Sequence, residues 1–304
     1  MTEEKELELA ELLAEVRRID VQATRLVSDL IAGGYSSVFR GSGLEFEGVR
    51  EYVEGDDPRA VDWSVTARMG RPFVKTYVDE RERTLLFLLD LSGSMAGGFA
   101  RWSARQTAAR VCACLAFSAV RNNDKVGLIA FREGSHSLVP ARKGAGHALR
   151  IVRDCLALPG GGAGTDLRPA LAFASRAVRR HAILFLVSDF LAEDWGHALA
   201  LCARRHDVIA VRLLPPELSP PAAGLMRLRD PESGRETVVD WGSRRVRETY
   251  AARGAAQRAS TEEELRRARV DLMDVPIPRD PDKDAVARPI LRFFGMRERR
   301  GEKR

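Results

Sequence analysis

The feature that most restricts the possible fold is an alternation of strand-like and helix-like segments across residues 84–214. The strand-like segments, such as 85–89 and 182–187, are continuous apolar runs rather than alternating apolar and polar residues. Continuous runs are typical of strands that are buried on both faces, and strands separated by helices usually pair in parallel. The pattern therefore predicts an α/β fold with a mostly parallel sheet and helices on both faces.

Four segments can be separated along the chain by pattern. Residues 1–33 carry apolar side chains three and four positions apart, which predicts a long amphipathic N-terminal helix. Residues 34–83 contain short alternating runs between glycines and predict a small strand-rich segment. Residues 84–216 form the predicted α/β core, and residues 217–304 are expected to add a hairpin, a long helix, and a closing strand and helix.

Apolar runs and helical periods predict the individual elements. Within the core, strands are predicted at 85–89, 125–131, 135–140, 182–187 and 208–214, and helices at 100–121, 146–158, 166–180 and 194–205. Beyond the core, strands are predicted at 225–229, 236–239 and 270–275, and helices at 243–269 and 284–294. The residues 230–234, Asp-Pro-Glu-Ser-Gly, have the chemistry of a turn that joins the first two of these strands.

Composition excludes several classes of protein. Apolar residues make up 45% of the chain, enough for a sizeable core, yet no run approaches the ~18 apolar residues that span a bilayer, so no membrane span is expected. The acidic N-terminus lacks the layout of a secretory signal. The four cysteines form no C-x-x-C pair and fall within apolar helical patterns. We therefore expect a cytoplasmic protein whose cysteines are buried in the core.

The net charge of +6 is distributed unevenly. Residues 1–80 carry 17 acidic and 10 basic side chains, whereas residues 241–304 carry 17 basic and 11 acidic ones. The uneven charge is explained equally well by attraction between the acidic and basic parts of the chain and by binding of an acidic partner. The basic residues are mostly arginines spread singly over helix faces, not interleaved with aromatic residues, so we expect no nucleic-acid partner.

Oxygen-bearing side chains follow two of the predicted strands and one glycine-rich loop, which places them at one edge of a parallel sheet. They are Asp90, Ser92, Ser94, Thr165 and Asp189. The set offers carboxylates and hydroxyls but no thiolate and no imidazole, which suits a hard divalent cation, Mg²⁺ or else Mn²⁺. Because only two carboxylates are expected at this edge, the cation would be barely neutralised and would accept an Asp or Glu from another protein.

The same residues resemble a known motif. Asp90-x-Ser92-x-Ser94, Thr165 and Asp189, in this order on alternating strands and helices, are similar to the metal-ion-dependent adhesion site of the von Willebrand factor A domain. The string Gly-Asp-Asp-x-Arg-x-x-Asp-Trp at 55–63 resembles one bacterial and archaeal subgroup, the family catalogued as domain of unknown function 58. The resemblance extends over residues 34–294.

This resemblance implies a role for the site and a kind of partner. In the A-domain family, the first Asp, both Ser and the loop Thr hold the cation directly or through water, and the later Asp supports them. The matching residues here are Asp90, Ser92, Ser94, Thr165 and Asp189. A partner protein then donates a carboxylate to the cation. Family members resemble partners of MoxR-type AAA+ ATPases in systems that assemble or activate protein complexes, which implies a non-enzymatic interaction module.

Other interpretations stay open on sequence alone. The first Asp and the two Ser could form a capping and turn cluster before the helix near residue 100. Asp166 could be a further ligand, although it is expected to be the N-cap of the helix that follows it. The same cation could serve a metal-dependent hydrolase, and residues 241–304 could form a basic nucleic-acid-binding adaptor. The charged residues at 45–68 could form an ion-pair lattice that docks the strand-rich segment on the core, or a contact surface for the ATPase.

Overall fold

The computed structural model describes the greater part of the chain. The described residues are 44–79, 82–98, 100–133, 135–162, 164–218, 224–282 and 284–301, with three single positions, Ala14, Arg17 and Arg18. Those three positions are helical, but the rest of the N-terminal helix predicted at 1–33 lies outside the described residues. The described residues within Phe39–Arg83 form one compact unit, and those within Thr84–Arg304 form a second one.

The smaller unit contains a two-stranded sheet. Strand β1 (Leu44–Glu51) pairs antiparallel with β2 (Phe73–Asp79), as the alternating runs predict. The connection between them contains a short 3₁₀ turn (Pro58–Ala60) and a helix, α1 (Trp63–Met69), which the pattern of short runs did not predict. Strand-like runs therefore describe this unit incompletely, because seven helical residues are too few to show a clear helical period.

Several acidic residues of the smaller unit form ion pairs or helix caps with residues that are near them in sequence. Asp56 pairs with Arg50 at 2.6 Å, Asp57 caps the 3₁₀ turn, and Asp62 accepts hydrogen bonds from the first backbone amides of α1. Gly70, with a φ of 72°, ends α1 in the left-handed conformation that glycine favours. These contacts all lie within the unit and stabilise its turns.

The larger unit is built on a parallel sheet. Its strands are β3 (Thr84–Asp90), β4 (Lys125–Arg132), β5 (Ser135–Arg142), β6 (Ile183–Ser188), β7 (Asp207–Leu214), β8 (Leu225–Arg229), β9 (Glu236–Asp240) and β10 (Asp271–Pro276). Among the described strands the sheet has the order β10-β7-β6-β3-β4-β5, and neighbours are parallel except for the antiparallel pair β4 and β5. β8 and β9 form a separate antiparallel hairpin. The predicted fold class is confirmed.

Helices cover the sheet on both faces. They are α2 (Ala104–Arg121), α3 (Ala145–Ala157), α4 (Leu167–Ala177), α5 (Gly196–Ala203), α6 (Arg244–Arg267) and α7 (Ala287–Gly301). On one face, Leu86 and Leu88 of β3 pack with Leu171 of α4 and Leu199 of α5. Phe87, which points to the opposite face, is also fully buried, and α2 packs on β3 there. Burial of both faces explains the continuous apolar runs of the strands.

Element ends differ from the predicted ones by a few residues, except that α7 continues to Gly301 rather than ending at 294. The four cysteines are buried and form no disulfide with one another, as predicted, and burial raises the pKa of Cys114 to about 12. No described helix combines the length and the apolar character needed to cross a membrane.

Candidate metal centre

Asp90 is the last residue of β3, at the centre of the sheet, and its side chain is fully buried. Its Oδ1 accepts a hydrogen bond from the backbone N–H of Ser92 at 2.9 Å, and its Oδ2 accepts one from the hydroxyl of Ser188 at 2.6 Å. Burial, assisted by the negative charge of Asp189, raises the pKa of Asp90 to about 6. The fold thus fixes a carboxylate where its charge is poorly solvated.

Ser92 and Ser94 follow Asp90 in a tight turn. Their hydroxyl oxygens lie 3.1 Å apart, on either side of the start of a 3₁₀ turn (Gly93–Met95). The turn of the proposed capping and turn cluster is present, but its capping role is wrong, because α2 is capped by Ser103, which forms a capping box with Gln106. The two hydroxyls therefore lie at the edge of the sheet and do not cap a helix.

Asp189 directly follows β6, the neighbour of β3 in the sheet. Its Oδ1 accepts a hydrogen bond from the backbone N–H of Leu191 at 3.1 Å. Burial raises the pKa of Asp189, and the charge of Glu232 adds to this effect, whereas a hydrogen bond with Ser94 opposes it. Asp189 therefore lies close to Asp90, to Ser94 and to a third carboxylate.

A glycine-rich loop carries Thr165 to the same edge. The backbone N–H of Gly161 donates to the carbonyl oxygen of Leu91 at 2.8 Å, and a Cβ on Gly160 would lie 3.0 Å from that oxygen. Arg105 of α2 fixes the start of the loop by donating to two carbonyl oxygens at the end of α3. A loop without side chains can approach the β3 loop this closely.

Thr165 and its neighbour Asp166 have different roles. The hydroxyl of Thr165 donates to Oε1 of Glu232 at 3.3 Å, which links it to the other candidate residues. Asp166 accepts from the backbone N–H of Arg168 at 2.9 Å, caps α4, and also pairs with the Arg168 guanidinium. The N-cap interpretation of Asp166 is confirmed.

Glu232 is the residue that sequence reasoning missed. It belongs to the turn of the β8–β9 hairpin, and its Oε1 accepts hydrogen bonds from the backbone N–H of Ser94 at 3.2 Å and from Thr165. Its Oε2 is buried and has no hydrogen-bond partner among the described residues. The expectation of only two carboxylates at this edge is therefore wrong, since Asp90, Asp189 and Glu232 lie around the same hydroxyls.

The donor set fits a hard divalent cation. Carboxylates and hydroxyls are linked to one another at the carboxyl ends of β3 and β6. Burial raises the pKa values of Asp90 and Asp189, and the charge of Asp189 adds to the first effect and that of Glu232 to the second. A buried carboxylate oxygen without a partner, such as Oε2 of Glu232, is costly unless a cation or another donor compensates it. Among the described residues no group of three or more His, Cys, Asp and Glu could hold a metal by itself, so the hydroxyls are an essential part of this candidate set.

Fold and site together define an α/β protein with a mainly parallel sheet and a group of carboxylates and hydroxyls at the carboxyl edge of that sheet. The chain belongs to the family described as "Protein of unknown function DUF58", whose model matches residues 48–260. The predicted family is thereby confirmed.

The chain is similar to one uncharacterized relative over most of its length and, more distantly, to two solved structures. An uncharacterized protein of Mycobacterium tuberculosis, strain H37Rv, is 30% identical over 294 residues, which cover 95% of this chain and 90% of the relative. The conserved hypothetical protein BatB from Bacteroides thetaiotaomicron is 18% identical with a TM-score of 0.42, over 69% of this chain and 98% of BatB. The SpRpn10 VWA domain is 11% identical with a TM-score of 0.39, over 68% of this chain and 93% of that domain.

Proposed function

We propose that this chain is a non-enzymatic protein-binding module whose adhesive element is Mg²⁺, or Mn²⁺. The proposed ligands are Asp90, Ser92, Ser94, Thr165 and Asp189. The observation that supports the proposal is the chain of contacts at the sheet edge that links Asp90, Ser92, Ser94 and Asp189 to one another and, through Glu232, to Thr165. When bound, the cation would supply a positive centre that accepts a carboxylate oxygen of a partner protein.

The residues of the chain prepare this edge in distinct ways. Ser188 and the backbone N–H of Ser92 orient the two oxygens of Asp90, so the carboxylate is already in place before any ligand binds. Leu191 orients Asp189 in the same manner through its backbone. The poor solvation of both carboxylates favours a divalent cation, because a cation replaces the missing solvation of their charge.

The partner side of the proposal rests on the family. We propose that the module acts with a MoxR-type AAA+ ATPase and captures a protein that presents an acidic residue, in the assembly or activation of a protein complex. The cytoplasmic location stays a prediction from the sequence.

Metal binding alone provides the first test. In an isothermal titration, Mg²⁺ and Mn²⁺ should bind the full chain, and Asp90→Asn should abolish binding while circular dichroism remains unchanged. Asp194→Asn is the matched control, because Asp194 lies in the loop after β6 with a φ of 56°, a conformation that Asn also tolerates. At a hundred times the dissociation constant, Mg²⁺ should raise the free energy of unfolding by about 2.7 kcal/mol. Equal binding by the Asp90→Asn variant would refute the proposed site.

Capture of the partner provides the second test. A co-expressed AAA+ ATPase of the MoxR type should be retained by the chain in Mg²⁺ and released in EDTA, and Thr165→Val should lower retention. Retention that is unchanged in EDTA would contradict the proposal. Turnover of a phosphoester or peptide panel, lost in Asp90→Asn, would instead support the metal-dependent hydrolase.

A further inference from the structure

The turn of the β8–β9 hairpin lies directly against the candidate metal centre. A Cβ built on Gly93, between the two site serines, would lie 2.4 Å from the carbonyl oxygen of Pro231 in that turn. Backbone therefore meets backbone at this point, and a side chain at position 93 could not be accommodated without a shift. The hairpin is seated on the loop that carries Ser92 and Ser94.

The turn is organised to hold Glu232 in one place. Asp230 accepts hydrogen bonds from the backbone N–H of Glu232 at 3.0 Å and from the hydroxyl of Ser233 at 2.5 Å. The backbone N–H of Gly234, whose φ is 69°, donates to the Asp230 carbonyl at 2.8 Å. The position of Glu232 is thus set by its own turn and not only by the residues that it contacts.

The carboxylate of Glu232 is only half used by these contacts. Oε1 accepts from Ser94 and Thr165, whereas Oε2 is buried without a hydrogen-bond partner among the described residues. The side chain also adds a third negative charge beside Asp189. If the carboxylate only accepted hydrogen bonds from two neutral donors, nothing would compensate the burial of its second oxygen. If it binds a cation, that oxygen becomes a ligand.

We infer that Glu232 is an internal ligand of the candidate cation, occupying the position that an acidic residue of a partner would take. The inference rests on the proposed metal site and deepens it. The chain then covers its own adhesive position in the resting state. Capture of a partner requires withdrawal of the hairpin, or replacement of Glu232 by the partner's carboxylate.

Manganese is a direct probe of this arrangement. Mn²⁺ affinity is measured by isothermal titration, and access of water to the bound ion by water-proton relaxation. Glu232→Gln keeps the size of the side chain but removes its charge, and should weaken Mn²⁺ binding at least about tenfold, as losses around metal sites do. Glu232→Ala should in addition raise the relaxation enhancement, because a water replaces the carboxylate. Glu236→Gln, on the exposed part of the same hairpin, should change neither quantity.

Acetate identifies the vacated position. Added to the Mn²⁺-loaded Glu232→Ala variant, it should lower the relaxation enhancement again, and the same concentration should leave the wild-type chain unchanged. If Mn²⁺ binds through Asp90 but both Glu232 variants match Glu236→Gln, the internal ligand is refuted and the metal site stands. If Asp90→Asn binds Mn²⁺ as well as the wild type does, both the site and the internal ligand are refuted.

Discussion

Replacing Gly93 by alanine separates the hairpin from the candidate metal centre without changing any charge. The new Cβ would lie 2.4 Å from the carbonyl oxygen of Pro231, and ordinary contact requires a backbone shift of about 1 Å. Such a shift lengthens the contact between Ser94 N and Glu232 Oε1 from 3.2 Å to about 4 Å, beyond hydrogen-bond range. Gly97→Ala is the matched control, because a Cβ there meets nothing within 4 Å.

The magnitude follows from two opposing effects. Overpacking costs about 1–3 kcal/mol, whereas alanine in place of glycine restricts the unfolded chain and returns about 0.4–1 kcal/mol. The gain is common to both alanine variants and cancels when they are compared, so Gly93→Ala should lower the free energy of unfolding by about 1–3 kcal/mol relative to Gly97→Ala. Urea denaturation measures this difference, and water-proton relaxation with Mn²⁺ should show the same increase as Glu232→Ala. Equal stability and equal relaxation of the two alanine variants would refute the close packing of the hairpin on this loop.

Three further predictions concern residues away from the site. Arg212→Ala should lower the free energy of unfolding, measured by urea denaturation, by about 2–3 kcal/mol. The loss is smaller than for a wholly buried ion pair because the acidic partners of Arg212 are about half exposed. Glu262→Gln should change the same quantity by less than about 1 kcal/mol. The Arg50 guanidinium, assisted by the backbone N–H of Val53, lowers the pKa of Asp56 to about 2, so these contacts should stabilise the fold above the ordinary pKa of 3.8 and lose their effect as the pH falls through about 2. Arg50→Gln should raise the pKa, measured by carboxyl NMR titration, only part of the way towards 3.8, because the Val53 hydrogen bond remains. The buried cysteines, including Cys114, should react with a thiol reagent only after denaturant unfolds the chain.

Much of the fold could be predicted because burial leaves a direct trace in the sequence. Strands covered on both faces must be apolar at every position, as in β3 and β6, and the helices between them must present an apolar face. Helix α1 leaves a weaker trace. Its cap residues, Asp62 and Gly70, were visible signals, but they stand in a string that is equally rich in charges and glycines.

The site could be predicted in part, for a related reason. Residues after parallel strands meet at one edge of the sheet whatever their distance in sequence, which brings Asp90 and Asp189 together without knowledge of the loops. The path of a hairpin over that edge follows no such rule. Glu232 lies 138 residues after Ser94, and its local sequence specifies a tight turn but not the surface on which the turn rests.

If Glu232 is an internal ligand, a partner that offers a single acidic residue cannot displace it. A carboxylate tethered to the site has an effective concentration of at least roughly millimolar, and higher still when its turn is already ordered. The hydrogen bond from the backbone N–H of Glu232 to Asp230 orders this turn, so the effective concentration of Glu232 is at the higher end. A partner's carboxylate must therefore be supported by further contacts, and the hairpin, whose turn touches the loop of Gly93 and Ser94, is a surface that can provide them. A partner that bound β8 and β9 as well as the cation could displace the turn and supply the replacement carboxylate in the same step. Contacts with the hairpin would then decide which partner binds, and the cation would hold that partner in place.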